Sequence, residues 1–448
     1  MSTSTDLPSL AKRDTNKRRL VLITIVFVNF VVWMDSGKFG LLTPFWSADL
    51  GFDTAQIGQI SSAYLLGYFP MLFIAGILAD RFGPKPLLIT CVAGVTVLGV
   101  SMVFVTNYSE LWWRNLIFGV FFGLLWAPCQ RMLAVWFPNI DIPRVTAFWV
   151  GAMMLTGLVE PVVALPMADA FGWRVTFIVI SILGIPAMLM LIWLTSSNPA
   201  TKKGISETEL AYIRSDRPAS VKSVPFREIL AAFKNRTVIL LVIAGALATT
   251  PTWLTATWAS YGALTVGEAD PLMAAWVIPL LAIPGIVYAF MHGRVVNTVF
   301  KGRLKPPMLI GVLLPAFGFF AAALIPGLPW WAWLFLASTL GFFTNPLVWG
   351  SLNPFFVRVA RPEVVGTLNG IAAGLQVAGG YILVSLSGGW INPELEGFRQ
   401  LSLMLIIGGV VFLIAAIPLL FINEKKVAPI RQVTEDAGEP VVISPVGH

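Results

Sequence analysis

Long apolar runs recur along the whole chain, each close to the roughly 20 residues that an α-helix needs to cross a bilayer. Nothing else in the sequence restricts the possible folds as strongly. Twelve runs can be counted, at about 20–46, 56–79, 85–106, 110–137, 144–169, 174–195, 236–265, 270–292, 306–326, 330–357, 364–388 and 399–422. Hydrocarbon offers no water to exposed backbone groups, so a spanning segment must be a helix or belong to a closed barrel. These runs are continuous rather than alternating, which excludes a barrel. Composition agrees, since only 12% of residues are charged and 57% are hydrophobic, whereas a soluble domain carries about 25% charged residues.

The connections give the topology. One side receives Arg81, Lys85, Arg144, a basic central loop, the Arg294/Lys301/Arg303/Lys305 cluster, Arg358, Arg361 and the tail residues Lys425, Lys426 and Arg431. The other receives Asp49, Asp53, Glu110, Asp169, Glu268, Asp270, Glu394 and Glu396, with Arg174 and Arg399 as the basic exceptions. By the positive-inside rule both termini are expected in the cytoplasm of a multi-pass protein of the cell inner membrane. The net charge of +7 therefore reads as a topology signal, not as a nucleic-acid footprint, for no basic domain with interleaved aromatics accompanies it. The first apolar run is too long for a signal-peptide core and is expected as an uncleaved span.

Residues 196–235 interrupt the apolar pattern and divide the chain. The expected domains are a cytoplasmic tail at 1–19, a six-helix bundle at 20–195, the central loop, a second six-helix bundle at 236–422 and a disordered tail at 423–448. The fold class is thus an all-α integral membrane protein with twelve transmembrane helices in two pseudo-symmetric six-helix bundles. Halves of this kind rock about a site near the midplane. Within the loop, Ser206-Glu207-Thr208-Glu209 predicts a capping box, and 226–233 an amphipathic surface helix.

Several chemistries lack their residues. Cys91 and Cys129 both lie in apolar runs without metal-ligand spacing. His292 and His448 are the two histidines, too few for a histidine relay. No phosphate-binding glycine loop ending in Lys-Ser/Thr and no metal-ligand cluster is present, so neither ATP-driven transport, nor a metal, nor any other cofactor is expected.

What remains are ionisable groups deep in the spans: Asp35 and Lys38 one turn apart in span one, Arg131 in span four and Glu160 in span five, with Arg114 shallower. Each costs at least about 2.5–3.5 kcal/mol at the bilayer centre, so each needs a partner, a wet cavity or a charged ligand. Glu160 precedes Pro161, which frees a backbone acceptor and can distort the helix locally.

Gly76-Ile77-Leu78-Ala79-Asp80-Arg81-Phe82-Gly83-Pro84-Lys85 between spans two and three resembles the signature of the major facilitator superfamily, and Arg114 with Gly119 resembles its fourth-helix motif. The resemblance implies the major facilitator fold and a conformational latch formed by Gly76, Asp80, Arg81, Gly83 and Lys85, with the glycines allowing close helix approach. The second-half counterpart, Gly293-Arg294-Val295-Val296-Asn297, lacks the acid, so any latch there is expected to be weaker. Within the superfamily the chain is most similar to the anion:cation symporter family. The matching residues are Asp35 with Pro44, Trp136-Phe137-Pro138, Gly172-Trp173-Arg174 with Phe177, and Ile205-Ser206-Glu207-Thr208-Glu209 with Tyr212-Ile213. The family usually has an arginine after the first-helix aspartate and a glutamate in mid span four. Here Ser36 and the apolar pair Phe121/Phe122 occupy those positions.

The resemblance implies proton-coupled symport of a small organic anion such as a carboxylate or sugar acid, by a protein that is not an enzyme. Asp35 and Glu160 are then the proton-coupling residues, Glu160 replacing the missing carboxylate, and Lys38 replaces the missing arginine. The alternative is a static Asp35–Lys38 pair, with Glu160 held by Arg114 and Arg131 snorkelling to the surface. Further candidate ligands of the anion are Arg114, Arg131, Tyr64 and Tyr68 on span two, and Trp126 and Gln130 on span four. The second half adds Trp258 and Tyr261 on span seven, Asn345 and Trp349 on span ten, and Asn369 and Gln376 on span eleven. The small residues of 366–380 predict close, sliding helix contact. The expected partners are the anion, protons and the lipid bilayer, for a monomer with no nucleic acid. An organophosphate:phosphate antiporter of the same fold is the second expectation. A transporter-like sensor or membrane-embedded enzyme is the third, but it lacks both an output domain and a nucleophile–base set.

Overall fold

The computed structural model describes residues 17–215, 226–339, 343–360 and 362–424. Among these, eleven helices are long and apolar enough to cross a membrane, from Lys17–Leu41 to Gly397–Phe421. They coincide with eleven of the twelve expected spans. The tenth is described on both sides of 340–342: Trp330–Leu334 and the π-helical turn Phe335–Thr339, then a second π-helical turn Asn345–Trp349 and the helix Gly350–Val359. The expected tails before Lys17 and after Glu424, and Arg361, lie outside the described residues.

Proline sets the breaks inside spans, because its ring removes a backbone donor and crowds the preceding turn. The first span ends at Leu41 and a second short helix, Thr43–Leu50, starts with Pro44 at its N-terminus. The indole of Trp46 donates to the Phe39 carbonyl at 2.9 Å across that junction. Span four divides into Tyr108–Phe122 and Trp126–Trp136, just before Pro128. Span six divides at Leu183, before Pro186. The distortion expected at Pro161 is absent at this level, since the helix Ile142–Phe171 runs through both Pro161 and Pro166.

In the first half, span two packs on span four, span one on spans five and six, and span three on spans four and six. In the second half, span nine packs on spans ten and twelve, and span seven on spans eleven and twelve. The halves meet along three helix pairs: two with eleven, five with eight, and one with seven. Toward the end carrying Asp49, hereafter the acidic end, this contact is intimate. Ser260 on span seven donates to the Leu41 carbonyl on span one, and a side chain at Gly40 or Gly388 would strike backbone of the opposite half, at Ala256 or Thr54. Toward the basic end, where Lys85 and Arg358 lie, a Cβ at Gly76, Gly293, Gly366 or Gly370 would meet open space. The halves are therefore in backbone-level contact at the acidic end.

The small residues of span eleven make room for rings from other helices. Gly374 receives the Phe73 ring from span two, and Gly380 receives the Trp253 indole from span seven. The expected capping box forms only in part. Ser206 caps the helix Glu207–Arg214 by accepting from the Glu209 N–H at 3.1 Å, but the Glu209 carboxylate turns away from Ser206 to the backbone N–H of Arg18, at 3.0 Å, and to its side chain. The stronger, charge-assisted partner wins the carboxylate, and the central loop is tied to the start of span one. Tyr212 strengthens the tie, donating to Asp141 at 3.0 Å beneath the Arg18 guanidinium. Burial and its bond to Asp141 hold the Tyr212 phenol above its usual value. The short helix expected near 226–233 forms at Phe226–Ala232.

Candidate functional site

Asp35 and Lys38 are almost completely buried, 2% and 1% exposed. They form an ion pair one turn apart on span one. An ammonium has three protons, and all three have acceptors here: Asp35, the Ser181 hydroxyl, and the Phe177 carbonyl at 3.2 Å. The Phe177 ring lies 4.7 Å from Nζ and adds a cation–π contact. Ser181 in turn donates to Asp35 at 2.7 Å. Lys38 thus faces span six within the first bundle. Neither Ser181 nor the Phe177 carbonyl carries any sequence signal, since both become partners only when span six packs on span one.

Glu160 reaches the same cluster from span five. It is 6% exposed, and one carboxylate oxygen, Oε1, has no partner. The carboxylate lies against Gly37, where any side chain would collide with it. On the other side, Gly99 of span three gives the same clearance to Asp35 and Ser181. Two absent side chains therefore admit two carboxylates around one ammonium. Arg114 does not hold Glu160. It bonds the Ser101 carbonyl and lies 3.9 Å from Glu110, which ties spans three and four near the acidic end.

Arg131 meets Asp80 at 3.5 Å, with both side chains at least half exposed. This links the last turn of the span-two helix, which runs to Phe82, to span four at the basic end. Lys85 donates to the carbonyls of Ile192 and Thr195, at 2.7 and 3.0 Å, capping the end of span six. Arg81 stacks near Phe82, 5.3 Å from its ring. Gly83 has φ +82°, a backbone region that side chains disfavour. The expectation of close helix approach fails at Gly76, where nothing lies within 4 Å of a would-be side chain.

The aromatic candidates divide into two groups. Tyr64 and Tyr68 stack at 5.9 Å, and both meet the Phe122 ring edge-on, at 5.4 and 5.2 Å. Trp33 packs on Phe122 at 5.1 Å, and Trp253 of the second half reaches Tyr64 at 6.2 Å. The indole N–H groups of Trp33 and Trp253 are buried without partners. Trp33 was not among the expected ligands, and Phe122, with Phe121, stood out in the sequence only as one of two positions lacking the family's glutamate. Ser36, at the position of the family's arginine, lies beside the Tyr64 hydroxyl.

Elsewhere Trp258 is buried and donates to Ser387 at 2.7 Å, with Tyr261 edge-on to it at 5.4 Å. Trp349 donates to Thr249 at 3.3 Å, and Asn369 to Asn353 at 2.9 Å. Gln376 accepts from Thr250 through its backbone carbonyl at 3.4 Å. Trp126 packs edge-on against Trp149 at 4.5 Å, and Gln130 is half-buried one turn further on. The Asn345 side chain lies outside the described residues. At the acidic end, Arg174 and the Trp173 indole both bond Asp49. Those two bonds, Arg174 first, hold the Asp49 carboxyl below its usual range.

Residues 25–384 match the family model described as Major Facilitator Superfamily. A Chlamydia trachomatis protein named as a probable hexose phosphate transport protein is 23% identical over 339 residues, covering 69% of this chain and 72% of its own. The D-galactonate transporter of Escherichia coli O6:H1 is 25% identical over 427 residues, covering 81% of this chain and 97% of its own. Among solved structures, a bacterial homologue of the human lysosomal transporter Spinster, in an inward-facing and unoccupied conformation, superposes with a TM-score of 0.70. That match covers 91% of this chain and 97% of the other at 14% identity, a likeness of fold alone.

Proposed function

This chain belongs to the major facilitator superfamily, and on that premise we propose that it is a secondary active transporter, not an enzyme, which moves a small organic anion across the cytoplasmic membrane by alternating access with proton symport. The basic end then faces the cytoplasm with both termini, by the positive-inside rule. The relatives carry hexose phosphate, by a name qualified as probable, and D-galactonate, both organic anions by name.

The observation that carries the coupling is the cluster of Asp35, Lys38 and Glu160. Two carboxylates share one ammonium out of contact with water. With both ionised, the cluster holds one uncompensated negative charge, which an apolar surrounding penalises heavily. One proton restores neutrality, so the charge count supports one proton per cycle. Asp35 is held by Lys38 and Ser181, whereas Glu160 keeps an unpartnered Oε1, and the proton is assigned to that oxygen. Glu160 sits on span five, which packs on span eight of the opposite half. Loading it therefore acts on a helix that must slide when the halves exchange access. In this reading Lys38 is the counter-ion of the two acids, and the anion binds between the halves.

A second reading, exchange of an organophosphate or carboxylate against another anion, draws on the apolar pair Phe121/Phe122 at the two positions where the family keeps a carboxylate, and on the hexose phosphate relative. Purified protein in proteoliposomes tests both. Accumulation that requires an inward proton gradient supports symport, and flux that requires only internal substrate supports exchange. A folded protein that moves no member of a panel of carboxylates, sulfonates and phosphate esters would sink both.

A further inference from the structure

We propose that the carried anion is an aryl carboxylate, bound edge-on and face-on by the ring cluster of Trp33, Tyr64, Tyr68, Phe122 and Trp253, with indole N–H groups as the donors to its carboxylate. The inference rests on the transport reading above and specifies its substrate class.

The rings form one unbroken chain from span one through spans two and four to span seven of the other half, with centroid separations of 5.1, 5.4 and 6.2 Å along Trp33–Phe122–Tyr64–Trp253. These lie within the 4.5–7 Å range in which aromatic edges and faces attract. The chain crosses the boundary at which the halves must part, so its last contact, Tyr64 to Trp253, cannot be permanent packing in an alternating-access cycle. A ligand ring placed between them keeps the edge-to-face contacts while the halves separate.

The polar groups point the same way. Trp33 and Trp253, at the two ends of the chain, each bury an indole N–H that has no acceptor. An unsatisfied buried donor costs about 1–3 kcal/mol, and a carboxylate would relieve it. Phosphate esters prefer guanidinium forks or ammonium groups, but Lys38, Arg114 and Arg131 are engaged by Asp35, Glu110 and Asp80. A sugar acid brings several hydroxyls, each costly to bury without a partner, and the ring cluster offers them mostly apolar surface. Phe122 is 1% exposed and is the hub of the cluster, holding Trp33, Tyr64 and Tyr68 around it.

The test is binding and counterflow with purified protein, using benzoate and phenylacetate against D-galactonate and glycerol 3-phosphate. We expect the aryl acids to raise the melting temperature and to exchange across proteoliposomes, and the other two to do neither. Trp33→Phe and Trp253→Phe keep a ring but remove the N–H. Each should weaken aryl-acid binding about tenfold while leaving the melting temperature of the unliganded protein within a few degrees. Binding and exchange of D-galactonate or glycerol 3-phosphate without the aryl acids would overturn the inference and leave the transport reading standing. Aryl acids that bind both variants as tightly as the parent would overturn the assignment of the site. Absence of binding and flux for all four, extended to the wider anion panel, would overturn both readings.

Discussion

Lys38 places its ammonium on Asp35, one turn earlier in the same helix, and on Ser181 of the sixth span, while the Glu160 carboxylate stands against the intervening Gly37. This fixes Lys38 as the one cation of a three-charge cluster inside the first bundle. It also changes what a substitution there should do.

Lys38→Met leaves two buried carboxylates without a counter-ion. Breaking a buried pair by removing one partner costs about 3–5 kcal/mol, so the variant should lose most of its thermal stability in detergent. Asp35→Asn combined with Lys38→Met removes a charge of each sign and should recover much of it. A single variant that melts with the parent would show that Lys38 is not the counter-ion.

Glu160→Gln keeps the shape of the side chain and removes the site of the coupling proton. Exchange of external for internal substrate should persist, while accumulation driven by an inward proton gradient should fall at least tenfold. Normal gradient-driven uptake by this variant, measured in proteoliposomes, would exclude Glu160 from coupling.

Gly99→Ala places a methyl group against both Asp35 and Ser181. Overpacking of this kind costs about 1–3 kcal/mol. The expected result is a lower melting temperature and disturbed coupling, with the same change at Gly151, where nothing lies within 4 Å, as the neutral control.

Asp80→Asn should slow turnover several-fold and leave affinity nearly unchanged, because the Asp80–Arg131 pair is exposed and joins elements at the basic end, remote from the ring cluster. Exposed pairs contribute about 0.2–1 kcal/mol, so stability should barely move. Arg131→Ala should reproduce the effect, and the double variant should be no slower than either. Additive slowing, read from initial rates, would separate the two residues.

At the acidic end the depressed pKa of Asp49 gives a signed pH dependence. A carboxyl whose pKa is lower when folded stabilises the fold fully above its unfolded value of about 3.9, and that stabilisation disappears as pH falls through the folded value. Asp49→Asn should therefore melt slightly below the parent at pH 7, with the difference fading below about pH 4. Asp49 is well exposed, so the effect should be small. A difference that grows on acidification would contradict the assignment.

Much of this was legible in the chain because its signals are local. Span length, the basic connections and the polar interruption at 196–235 each depend on residues adjacent in sequence, and they yielded in advance the eleven long helices found among the described residues. Asp35, Lys38 and Glu160 stood out for the same reason, as charges in apolar runs. The capping box at Ser206 misled because the hydroxyl half is local, while the carboxylate half depends on Arg18, 191 residues away. Gly76 misled because a glycine in a motif does not say whether a neighbour approaches.

The sequence alone determined that this chain crosses a membrane many times as helices, since unsatisfied backbone leaves no other solution in hydrocarbon. It also determined which few side chains are charged at depth. Only the tertiary structure decided what those charges face. Ser181 and the Phe177 carbonyl come to Lys38 when span six docks, Gly37 and Gly99 open the space that two carboxylates need, and Phe122 becomes the hub of a ring cluster joining both halves. These are contacts between residues far apart in the chain, and their energies come from packing, which no local pattern encodes.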